Sequence, residues 1–266
     1  METVIANTLQ NTDLLNSNYD EDGTYYPESD GQHMANSSVH FERIATTKYG
    51  LESLFADRDD VFVAGDLFWY PVKGETRLAV APDVMVVFGR PNNERKSYKQ
   101  WNEENIPPQV VFEFLSESNT AADVINKAIF FERHGVQEYY IYDLRTKELS
   151  GFIRYTEKDK QLEELADMND WKSPRLGIRF DMSSGELVLR KPDGEPFLSY
   201  AEVEQELQER TRQLEQTEVK LEQTEVKLEQ TEVKLEQTQI QLSASESRAA
   251  ALAEKLRELG INPDAL

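Results

Sequence analysis

The chain has 266 residues, a formal net charge of −21 and no cysteine, which excludes disulfides, thiolate metal sites and cysteine nucleophiles. The acid excess is even, with net −7 in each of residues 1–39, 40–199 and 200–266. It counts against broad electrostatic attraction to nucleic acid and suits a site that gathers a divalent cation. No apolar run reaches the ~18 residues of a membrane span, and Met1 to Leu15 lacks the charge and apolar core of a signal peptide, so the chain reads as a soluble, cytoplasmic protein without a membrane partner.

In chain order, residues 1–33 are polar and aperiodic and read as a disordered tail. A helix is expected between Met34 and Ala56, with Phe41, Ile44, Leu51, Leu54 and Phe55 at helical spacing and Gly50 interrupting the run. Strands are expected at Val61 to Val63, Asp66 to Tyr70 and Arg77 to Phe88, the last interrupted by Pro82, followed by a polar loop over 89–109. Val110 to Leu115 is a strongly apolar strand, Ala121 to His134 a helix stopped by Gly135, and Glu138 to Tyr142 a strand. Leu149 to Tyr155, Gly177 to Met182 and Glu186 to Arg190 suggest an antiparallel extension, with a hairpin turn at Ser183 to Gly185. The order predicts a mixed α/β domain over 34–199 with one core.

The segment LEQTEVK occurs three times in tandem, from Leu214, Leu221 and Leu228, with a degenerate copy from Leu235. A seven-residue period on a helix-forming composition predicts a coiled coil over 200–260, with a short tail at 261–266. With each repeat leucine at position a, the frame holds unbroken from Tyr200 to Leu259. Gly260 and Pro263 then end the helix. Thr217, Thr224, Thr231 and Thr238 fall at d. Lys220, Lys227 and Lys234 at g face Glu218, Glu225 and Glu232 at e when two copies pair in parallel, which predicts a homodimer through residues 200–259. Because the d layer is polar, a lone solvated helix is the alternative.

Two carboxylates stand within apolar strand regions: Asp83 in Ala81-Pro82-Asp83-Val84, and Glu113 in Val111-Phe112-Glu113-Phe114-Leu115. An isolated buried charge is costly, so each needs a partner. Two such groups together fit a divalent cation with a preference for oxygen ligands, Mg²⁺ or Mn²⁺. Two carboxylates at strand ends, facing water or a basic side chain, are the alternative. Lys127 lies three residues after Val124 and four before Phe131, on the core side of its helix. There it would meet a carboxylate or phosphate, unless it merely pairs with Asp123 at i,i+4. Glu42 and Asp66 are spare carboxylates. The loop from Arg90 to Trp101 interleaves Arg90, Arg95, Lys96 and Lys99 with Tyr98 and Trp101, a pattern suited to nucleic-acid backbones and bases, although Glu94, Glu103 and Glu104 also make it a plain charged loop.

The succession Pro82-Asp83, Glu113-Phe114-Leu115-Ser116, Lys127, and Gly135-Val136-Gln137-Glu138-Tyr139-Tyr140-Ile141-Tyr142-Asp143 resembles the Uma-two family of restriction endonucleases over roughly residues 34–190. Val63 to Pro71 and the loop from Ser97 to Trp101 share that resemblance. It implies a restriction-endonuclease-like core of the PD-(D/E)xK superfamily, with Asp83 and Glu113 as metal ligands and Lys127 as the catalytic cation. Leu115 stands two residues after Glu113, where the parent motif has Lys, so Lys127 from the following helix would supply the charge. The expected activity is metal-dependent hydrolysis of DNA phosphodiesters. The rival expectation is an inactive nuclease fold that acts as a scaffold through its coil.

Overall fold

The computed structural model describes residues 18–29, 37–156, 159–258 and 260. It divides into two units, one ending at Ala201 and one beginning at Glu202. The elements of the first are α1 (Ser38–Leu54), β1 (Val61–Gly65), β2 (Trp69–Tyr70), β3 (Val84–Phe88), β4 (Tyr98–Lys99), β5 (Val110–Leu115), α2 (Ala121–Arg133), β6 (Glu138–Asp143), β7 (Leu149–Ile153), β8 (Glu163–Glu164), β9 (Trp171–Lys172), β10 (Arg179–Asp181) and β11 (Val188–Arg190). The predicted mixed α/β class is what this unit has.

The main sheet has the order β1-β3-β5-β6-β7-β8. Its neighbours are antiparallel except β5 and β6, which run parallel with Glu113 opposite Ile141. A parallel pair needs a crossover, and α2 supplies it. Strand side chains alternate, so the apolar runs of β3, β5 and β6 bury both faces. Val84, Val86, Phe112, Phe114, Tyr140 and Tyr142 pack with Ile44 and Leu51 of α1 and with Phe180 and Leu189 of the β9–β11 sheet. Met85, Val87, Val111, Tyr139 and Ile141 pack on the other face with Phe131 of α2 and with Trp69 and Tyr98 of the β2–β4 pair. Each such fully buried side chain contributes roughly 1.5–3 kcal/mol.

Helix α1 is capped by Ser37, whose hydroxyl accepts the His40 N–H. Its buried positions are His40, Ile44, Thr47 and Leu51, so Phe41, expected on the apolar face, lies outside it at 53% exposure. Gly50 has a packing reason: a Cβ there would fall 2.3 Å from the Phe197 ring. The start of the helix expected from Met34 lies outside the described residues up to position 36.

Several boundaries differ from the sequence reading. The expected strand from Arg77 is confined to β3, because Pro82 cannot donate to a ladder, and Asp83 stands just ahead of the strand. The strand expected from Asp66 begins only at Trp69, since Asp66 has φ 48°. The antiparallel extension is split: β7 and β8 lengthen the main sheet, while β9–β11 form a sheet of their own. Residues 18–29, read as part of a disordered tail, are ordered against the core. Tyr19 bridges Tyr25, Tyr26 is fully buried, and the Tyr70 hydroxyl donates to the Pro27 carbonyl at 2.6 Å.

The second unit holds most of α3 (Tyr200–Glu258), 59 residues of unbroken helix with none buried. Among the described residues no helix is long and apolar enough to cross a membrane.

Candidate active site

The face of β5 that carries Val111, Glu113 and Leu115 is the face α2 covers. Thr120 fixes the start of α2 by a reciprocal capping box with Asp123. Asp123 is thereby occupied, and Lys127, one turn further, is not its ion-pair partner. The Lys127 ammonium donates instead to Glu113 Oε2 at 2.6 Å. Glu113 is 2% exposed. Burial, with the nearby Asp83 charge adding to it, pushes its carboxyl above the ordinary carboxylate range against the pull of Lys127. Burial also pulls the Lys127 ammonium down, but Glu113 and Asp83 outweigh it and keep the group protonated.

Asp83 is held through one oxygen. Its Oδ2 accepts the Phe114 N–H at 2.6 Å and lies 3.3 Å from His40 Nε2. The backbone explains the first contact: Val84 pairs with Phe112, and just ahead of β3 the carboxylate replaces the next ladder acceptor. His40, buried in α1, was missed by the sequence reading because its only signal is a partner 43 residues away.

Both carboxylates thus have one oxygen committed and one to spare. Glu113 Oε1 is buried with no hydrogen-bond partner, as is the Tyr139 hydroxyl. Burial, then the Glu113 and Asp83 charges, push the Tyr139 phenol upward. An orphaned buried carboxylate oxygen beside a second carboxylate fits a cation ligand set. No group of three or more His, Asp and Glu that could hold a metal occurs among the described residues. Waters and substrate oxygens would therefore have to complete the shell, as Mg²⁺ commonly allows.

Asp83 and Lys127 open onto a cleft of about 790 Å³, lined also by His40, Asp66, Arg77, Asn119 and Asn126. Asp66 reaches this cleft, whereas Glu42 is exposed and does not line it. The basic loop does not supply a nucleic-acid surface of the kind its composition suggested. Glu103, fully buried, takes Arg90 at 2.8 Å and Arg95 at 2.7 Å, and Arg95 lies 4.0 Å over the Phe62 ring. Lys99 is buried beside Tyr26. The Glu138 of the Gly-Val-Gln-Glu-Tyr run is likewise structural: its carboxylate accepts the Tyr140 hydroxyl at 2.9 Å and the Arg175 N–H at 2.8 Å.

No curated protein matches the chain. One solved structure, titled as a putative nuclease belonging to DUF820 from Anabaena variabilis, is similar at 15% identity and TM-score 0.36, covering 60% of this chain and 82% of that one. The family model Uma2 (Uma-two), described as "Putative restriction endonuclease", matches residues 20–185. That span takes in Asp83, Glu113 and Lys127 and exceeds half of the chain, and the protein belongs to the Uma2 family.

Proposed function

We propose that the protein is a divalent-metal-dependent DNA endonuclease. The observation that carries this reading is Glu113: a buried carboxylate with Lys127 on one oxygen and no hydrogen bond of normal geometry on the other. Asp83 and Glu113 would hold Mg²⁺ or Mn²⁺, which when bound lowers the pKa of water and stabilises charge on phosphoryl oxygens. The Phe114 N–H and His40 orient Asp83. Lys127 holds its proton at Nζ between Glu113 and the cleft, where it would steady a non-bridging phosphate oxygen in place of the motif lysine that Leu115 replaces. Incubating the full chain with plasmid DNA in Mg²⁺ and in EDTA tests this. Cleavage in Mg²⁺ alone, lost in Glu113→Gln, is the expected result, and intact plasmid in both would refute it.

The proposal extends to assembly. The leucines Leu207, Leu214, Leu221, Leu228, Leu235 and Leu242 form an a-position stripe, each 59–65% exposed. The hydroxyls of Thr217, Thr224, Thr231 and Thr238 donate to the carbonyls of Gln213, Lys220, Lys227 and Lys234 at 2.8 Å. The d layer therefore has its polar groups satisfied within the helix and offers methyls to a partner, which favours a parallel two-stranded coil over 200–259 in a cytoplasmic homodimer.

A second reading is a scaffold that has kept the fold without the activity. The acidic lining of the cleft, with Asp66, Asp83 and Asp123, favours it. Plasmid left intact by a chain that still binds Mn²⁺ would select it.

A further inference from the structure

A nuclease must bring a polyanion into this cleft, yet Glu28, Asp66, Asp83 and Asp123 line it, against two cations, Lys127 and Arg77. Lys127 is already engaged by Glu113. Arg77, on the segment between β2 and β3, is exposed, and among the described residues its guanidinium has no hydrogen-bond or ion-pair partner. Most other arginines of this unit are occupied, among them Arg43 by Glu186, Arg58 by Asp60, Arg90 and Arg95 by Glu103, Arg145 by Asp143 and Arg190 by Asp181, and neither Arg133 nor Arg175, which have no such partner among the described residues, lines the cleft. A chain this acidic leaves few guanidiniums unpaired. This one stands on the wall of the cleft that Asp83 and Lys127 also line.

We propose that Arg77 is the phosphate-binding residue of the cleft. Its planar fork takes two non-bridging oxygens of a DNA backbone phosphate, and so holds the strand over Asp83, Glu113 and Lys127. The inference rests on the nuclease reading and adds the group that overcomes the acidic lining. An arginine serves better than a lysine because a fork fixes the orientation of the phosphate as well as its distance.

The test uses the full chain as wild type, Arg77→Ala, Arg77→Lys and, as a charge-matched control on a surface pair away from the cleft lining, Arg179→Ala. Anisotropy of a short labelled DNA duplex in Ca²⁺, across a salt series, reads binding. Calorimetric titration with Mn²⁺ reads the metal site, and plasmid cleavage in Mg²⁺ reads activity. Arg77→Ala is expected to bind DNA about tenfold more weakly, with a salt dependence shallower by about one phosphate contact. Arg77→Lys should fall between it and the wild type. Arg179→Ala should match the wild type, and Mn²⁺ affinity should be the same in all four. Equal DNA binding by wild type and Arg77→Ala would overturn the assignment and leave the nuclease reading standing. So would an equal loss in Arg179→Ala, which would reduce the effect to net charge, or a loss of Mn²⁺ affinity in Arg77→Ala, which would make it a disturbance of the carboxylates. A wild type that neither binds nor cuts DNA refutes the nuclease reading, and Arg77 with it, before any substitution is made.

Discussion

The two units of this chain treat their polar groups in opposite ways. The first buries them in closed sets: Glu103 with two arginines, Glu138 with Tyr140 and Arg175, Asp83 with His40 and the Phe114 N–H. The second buries none of its described residues and satisfies its repeat threonine hydroxyls with its own backbone. Where most buried polar groups are paired, the few that are not carry information, and Glu113 Oε1 and the Tyr139 hydroxyl stand out among them because both lie near Asp83. Where nothing is buried, the informative feature is the repeated leucine, whose only return is contact with something outside its own helix.

Four measurements would sharpen or break this contrast. The largest effect is expected at the site. On the proposed nuclease reading, Lys127→Ala should lower cleavage by about a thousandfold while leaving the fold intact, since it would remove a preorganised charge beside the phosphate. A mutant with wild-type rates would demote the lysine to a neutraliser of Glu113. Next is the buried cluster: Glu103→Ala leaves two guanidiniums without their shared anion and should destabilise the first unit by about 3–5 kcal/mol, read by urea titration. Third, replacing the four d-position threonines by valine should raise the melting temperature of the dimer modestly, because the hydroxyls they lose were already satisfied. Sedimentation must first show a dimer that a 1–199 truncation loses, and a monomer in both would end the coiled-coil reading. The smallest effect concerns acid. Hydrogen bonds and charge from Arg145, opposed by burial, hold the Asp143 carboxyl down at about 2. A depressed carboxyl stabilises the fold above its unfolded value near 4 and loses that contribution as pH falls toward 2. Asp143→Asn should therefore cost of order 1 kcal/mol at neutral pH, less than half of that at pH ~2, and nothing only at about pH 1.

The sequence was most legible where local pattern and tertiary demand agree. The strand at Val110 to Leu115 and the helix from Ala121 have apolar runs, a cap and a Gly135 stop that admit one reading, and both appear within a residue of expectation. Lys127 was legible as well, because helical spacing to Val124 and Phe131 already set its side. The two-residue strands β8 and β9 were not, since pairs that short exist only through their partners. The basic loop misled for the same reason. Arg90 and Arg95 look available until the fold brings Glu103 beneath them. His40 carried no motif, and only the folded chain puts it beside Asp83.

Asp83 has a consequence for genetics. Its Oδ2 closes the hydrogen-bond ladder at the start of β3 by accepting the Phe114 N–H. A truncating substitution there strips a buried amide of its acceptor, a defect of about 1–3 kcal/mol that has no connection with chemistry. An alanine scan would record Asp83 as essential even in a protein that cuts nothing. Asparagine keeps an acceptor for that amide and removes the charge, so the gap between Asp83→Ala and Asp83→Asn separates the joinery of this residue from its trade.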